Sequence, residues 1–66
     1  MGGANVEVKD LKVGDSVLIT SSTSEGIQMR KGNVEKITAH TVYVSSSRGP
    51  IAMRIKNIAL VKRFDK

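Results

Sequence analysis

The chain has 66 residues, no cysteine and one histidine, which excludes a disulfide framework and a cysteine- or histidine-rich metal cluster. A domain of this length removes only about 60 % of its unfolded surface from water, so its core is small. Eleven Lys and Arg against six Asp and Glu leave a net charge of +5. The surplus is uneven: residues 1–29 carry two basic against four acidic side chains (net −2), and residues 30–66 carry nine against two (net +7). So basic a second half points to an anionic partner, nucleic acid first. The opening stretch "MGGANVEVKD" has neither the basic start nor the apolar run of a signal peptide, and no window approaches a membrane span. The expectation is a cytoplasmic protein with no membrane partner.

In chain order, residues 1–10 read as a flexible arm with at most a short edge strand at "VEVK", because Gly2, Gly3 and Asn5 favour irregular backbone. Residues 11–64 read as one β domain. In "LKVGDSVLIT", Gly14-Asp15 signals a turn, and Val17 and Ile19 share one side of the following strand. "SSTSEG" is a polar loop by composition. The chain becomes strand-like again from Ile27, with Ile27 and Met29 on one face. Val34 and Ile37 then have opposite parity, which places a bulge or bend at Gly32-Asn33. "HTVYVSSS" alternates cleanly, Val42 and Val44 one way, Thr41, Tyr43 and Ser45 the other.

"SRGP" turns the chain, and Pro50 opens a strand where a missing amide does least harm. In "IAMRI" the residues Ile51, Met53 and Ile55 face inward and Ala52 and Arg54 outward. "KNI" reads as one helical turn and "ALVKR" as a closing strand. The apolar period stays near two throughout, so the fold class is all-β: about five short antiparallel strands curled into a small barrel.

The order of these parts resembles a known family of shapes. "LKVGDSVLI", then a loop, "KGNVEKITAHTVYV" and "IAMRIKNIALVKR" are similar to an SH3-like barrel of the Tudor and KOW kind. That resemblance, over residues 11–63, implies a Gly-Asp turn into the first strand, a bent middle hairpin and a short helical turn before the last strand. Sm-like ring proteins are also similar in their bent strands, but no N-terminal helix is visible here.

No catalytic set converges, and an enzyme is not expected. His40 beside Thr41 would be a base next to a nucleophile, yet adjacent strand residues point to opposite faces. Glu7, Asp10 and Asp15 lack the ligand-rich loop of a calcium site and read as turn residues. The runs "TSSTSEG" and "SSSRG" offer phosphorylation sites, and "SSSRG" could hold a phosphate through its amides and Arg48, but both read first as polar hairpin loops. Gly26, Gly32 and Gly49 form no nucleotide-binding pattern, so no cofactor is implied.

The outward face is the candidate site. With Val34, Ile37, Val42, Val44, Ile51, Met53 and Ile55 inward, Tyr43 and Arg54 face out with Lys31 and Lys36 near them. Cations can hold phosphates while an aromatic ring stacks a base. The expected contacts to DNA or RNA, of low sequence specificity, are Arg30, Lys31, Lys36, Arg48, Arg54, Lys56, Lys62 and Arg63, with Tyr43 as a stacking ring. Two aromatics, Tyr43 and Phe64, are too few for a methyl-lysine cage or a proline-motif groove. The alternative reading, without nucleic acid, is a protein-binding adaptor or assembly module whose exposed edges, the "VEVK" arm among them, apolar loop residues Ile27 and Met29 and basic tail dock onto another protein or copies of itself.

Overall fold

The computed structural model describes residues 3–64. It is all-β, with six strands: β1 (Ala4–Val6), β2 (Ser16–Thr23), β3 (Gly26–Ile37), β4 (Thr41–Ser46), β5 (Gly49–Arg54) and β6 (Ile58–Phe64). They form one antiparallel sheet in the order β1-β6-β2-β3-β4-β5. Its outer strands, β1 and β5, are not paired with each other, so the sheet curls around its core without closing. Two short 3₁₀ turns, Val8–Asp10 and Ile55–Asn57, complete the described structure. The second is the helical turn before the last strand, one residue upstream of "KNI": it takes in Ile55 and leaves Ile58 to β6.

The expected inward set forms the core. Val17, Ile19, Val34, Val42, Val44, Met53 and Val61 are buried together with Leu11, and Ile37, Ile51 and Ile55 pack against them. Registered partners explain the convergence, because residues directly opposite in an antiparallel pair share a face. Val42 faces Ile37 and Met53, Val44 faces Val34 and Ile51, and Ile19 faces Val61.

Four expectations need correction. There are six strands rather than five, because Ala4–Val6 pairs with Val61–Arg63 of β6. The short edge strand therefore overlaps "VEVK" only at Val6 and otherwise lies upstream of it, within residues 1–10, which read as an arm. "SSTSEG" is not a loop: Ser21, Ser22 and Thr23 belong to β2 and pair with Gln28, Ile27 and Gly26, leaving a two-residue turn at Ser24-Glu25. Gly26, at φ 120°, adopts the positive angle that glycine tolerates. Finally, the bulge is not at Gly32-Asn33. The β3–β4 register shifts between Val34 and Lys36, which places the extra residue at Glu35.

Gly32 has a different role. A Cβ built on it would overlap the Ser45 carbonyl oxygen and lie 2.7 Å from Val44 Cγ1. Glycine is needed there because β3 and β4 approach too closely for a side chain.

Candidate nucleic-acid interface

Register assigns the nominated side chains to faces. On the convex outer face, Lys62, Leu18 and Lys31 form one rung across β6, β2 and β3, and Phe64, Ser16 and Asn33 form the next. Lys36, Tyr43 and Ala52 form a rung across β3, β4 and β5, and Thr41 faces Arg54 beside it. Lys31, Lys36, Arg54, Lys62 and Tyr43 therefore all point away from the core; alternation alone groups Tyr43 with Arg54, and register adds the lysines.

The bulge determines the sign of charge in the middle of that surface. Val34 faces Val44, so an unbroken ladder would set Glu35 opposite Tyr43. The extra residue sets Lys36 there instead and returns Ile37 to the core side. An ammonium thus replaces a carboxylate beside the ring.

Both aromatic rings carry a lysine. Lys36 Nζ lies 5.9 Å from the Tyr43 ring centroid, and Lys31 Nζ lies 5.5 Å from that of Phe64. These are cation–π distances, worth about 0.5–1 kcal/mol each at exposed sites. Phe64 was not among the nominated contacts. Its even spacing from Lys62 in β6 was the available signal, since residues two apart in a strand share a face.

Other nominated residues lie elsewhere. Arg30 faces Ile19, so it has inner-face parity, and its guanidinium donates to the Met29 carbonyl at 3.1 Å and to Gln28 Oε1 at 3.3 Å. Arg48 sits in the β4–β5 turn, where its amide donates to Ser46 Oγ at 3.2 Å. Lys56 lies in the Ile55–Asn57 turn. Arg63 is engaged inside the fold: it donates to the Asp10 carbonyl at 3.2 Å and faces the Asp15 carboxylate at 3.8 Å. Those contacts tie β6 to the two turns that precede β2, across nearly the whole chain, which local patterning does not reveal.

Among the described residues the ion pairs are Arg63–Asp15 and Lys9–Glu7. Of the eight nominated cations only Arg63 has a carboxylate partner there. Two acidic side chains serve as turn caps: Asp15 Oδ2 accepts the Lys12 amide at 2.9 Å and Asp10 Oδ2 the Glu7 amide at 3.4 Å. Among the described residues no cluster of His, Asp and Glu could hold a metal ion. His40 is exposed in the turn between β3 and β4, where Thr38 Oγ1 accepts the His40 and Thr41 amides. The serine-rich hairpins spend their hydroxyls similarly: Ser46 Oγ donates to the Gly49 carbonyl at 2.8 Å and Thr23 Oγ1 to that of Gly26 at 3.4 Å. No helix among the described residues is long and apolar enough to cross a membrane.

Compared with known families, residues 5–64 match one described as a domain of unknown function, DUF7205. No curated protein and no solved structure matches the chain.

Proposed function

The chain belongs to the DUF7205 family, whose description names no activity, and from its own surface we propose a small SH3-like barrel that binds nucleic acid through phosphates. The strand order supports the barrel reading: β2 to β5 form a meander, a 3₁₀ turn follows, and the last strand returns beside β2. The observation that carries the binding reading is the set of cations without carboxylate partners among the described residues, four of them pointing outward with Tyr43 and Phe64. Unpaired ammonium and guanidinium groups exchange condensed counterions for phosphates at little desolvation cost, and they carry no base code. The compartment is read as the cytoplasm, and no chemistry is assigned to the chain.

A titration against single- and double-stranded DNA and RNA at several salt concentrations tests this. If Lys31, Lys36, Arg54 and Lys62 each neutralise a phosphate, log affinity for a single strand falls against log salt with a slope of about −3. Reversing Arg54 and Lys56 to Glu weakens binding while the far-UV spectrum stays native, since both side chains are exposed. Affinity indifferent to salt, or no binding at low salt, would overturn the reading.

Tyr43→Ala separates stacking from charge. Tyr43 is half-buried on the outer face opposite Ala52, so its loss leaves the core in place. The expected result is a selective loss of about 1–3 kcal/mol on single strands, with duplex binding nearly unchanged. Equal, slight losses on both would leave Tyr43 as cover for the sheet and its lysine.

A further inference from the structure

β3 spans 12 residues, but its two sides are not equally used. Against β2 it is paired from Gly26 to Asn33, and against β4 only from Asn33 to Ile37. The first half of β3 therefore has a free side. Which main-chain groups lie on it follows from the ladder. Thr23 and Gly26 close a two-residue turn, and the Val34 amide donates to the Asp15 carbonyl at 2.9 Å, both on the β2 side. Alternation directs Gly26, Gln28, Arg30 and Gly32 toward β2 and points the amides and carbonyls of Ile27, Met29 and Lys31 the other way. The Met29 carbonyl is met there by the Arg30 guanidinium.

Two independent observations converge on this edge. Ile27 is 73 % and Met29 57 % exposed, the two extreme apolar exposures within any long strand. In addition, the edge opens into a groove of about 560 Å³ walled by Gln28 to Lys31 on one side and by Ser46, Ser47, Arg48 and Ile51 on the other. Three of its lining residues are cations and none is acidic.

We propose that the free edge of β3 accepts an added strand from an acidic, extended segment of a partner protein, with its carboxylates on Arg30, Lys31 and Arg48 and its apolar side chains on Ile27 and Met29. This goes beyond nucleic-acid binding and does not depend on it. Donors and acceptors alternating along a strand edge are matched by another peptide backbone, whereas a sugar–phosphate chain supplies acceptors but few donors for the carbonyls. A second copy is disfavoured by charge: each chain carries +5, and pairing two such edges would bring both sets of Arg30, Lys31 and Arg48 together.

The probe is a labelled acetyl-Glu-Glu-Val-Thr-Val-Thr-amide, whose antiparallel register sets Glu against Lys31 and Arg30 and Val against Met29 and Ile27. Binding to the full chain should slow amide exchange at Ile27, Met29 and Lys31 by about tenfold or more, leaving Gln28 and Arg30 unchanged. The same peptide N-methylated on its β3-facing nitrogens should not bind. Met29→Pro should abolish binding, because it removes an amide that β2 does not use. Arg48→Glu, in a surface turn, should weaken binding about tenfold and keeps the test decisive if Met29→Pro fails to fold. Equal binding of the methylated peptide, or no protection at the three amides, overturns the proposal. So does protection of the same amides by oligothymidylate, which would give the edge to nucleic acid, or protection in a free protein of dimeric mass. Failure of nucleic-acid binding itself is read separately, in the salt titration.

Discussion

Val42→Asp is expected to leave the chain unfolded. Val42 is wholly shielded from solvent and sits between Ile37 and Met53 on the inner face of the sheet. No cationic side chain lies in that core, so an aspartate there would be an uncompensated buried charge, costing about 3–5 kcal/mol. A chain of this length has a total stability of roughly 3–10 kcal/mol, and the loss of the valine's own packing adds to the deficit. The result is read as collapse of the strand signal in far-UV circular dichroism and of amide dispersion in an NMR spectrum. Ala52→Asp is the control: Ala52 adjoins Met53 but is exposed on the outer face, and that variant should remain folded. A folded Val42→Asp chain with native dispersion would show that the inner face is not the dry core.

Gly32→Ala is expected to destabilise by about 3 kcal/mol, the upper end of ordinary overpacking. The alanine Cβ has nowhere to go, since the Ser45 carbonyl and the Val44 side chain already occupy its position, and both belong to β4, which Asn33 and Val34 pair. Relief would require β3 and β4 to separate where they hold Val34 against Val44, both buried. Urea unfolding checks this: with a slope of about 1 kcal/mol/M the midpoint should fall by about 3 M, or the variant should be unfolded in buffer. A midpoint within about 0.5 M of the parent would mean that the strands can part freely there. The sequence motivates a different cause for the same sensitivity, a strained bend at Gly32. The structure has no positive φ at Gly32, so steric overlap, and not backbone angle, is responsible.

That difference illustrates what the sequence could and could not disclose. Parity was readable wherever one side of a strand is buried, which is why Val17 and Ile19, Val42 and Val44, and Ile51 and Met53 were placed correctly from alternation alone. Where β2 and β3 run past the core, from Ser22 to Met29, both sides are exposed and the period-two signal disappears. Composition alone then favours a loop where the structure has a polar hairpin. The parity break between Val34 and Ile37 confines the extra residue to Glu35 or Lys36, and the structure has it at Glu35; Gly32, upstream of both valine and isoleucine, shifts them together and cannot produce the break. β1 depends on a partner almost sixty residues away, Ala4 on Arg63, and no local pattern encodes that. The candidate surface divides similarly. Charge asymmetry exposed the cations, and parity grouped Tyr43 with Arg54. The diversion of Arg63 to Asp15 and the pairing of Lys31 with Phe64 depend on tertiary register.

The return of β6 to the side of β2 also governs how such a chain can assemble. β2 to β5 meet their neighbours through short turns, so these seams close cheaply as soon as the connecting residues bend. β6 on β2 is the exception, since it joins Ile19 to Val61 and Val17 to Arg63 across most of the domain. Until it forms, the meander has one apolar face and too little to dry it against, because Val61 supplies part of the core that the hairpins lack. β1 on β6 is longer still, Ala4 to Arg63, but it becomes a short closure once β2 already holds β6, so the long-range seam that must close first is the one that completes burial. A meander whose burial waits on so distant a pairing has a high contact order, and the chain is expected to fold slowly for its size.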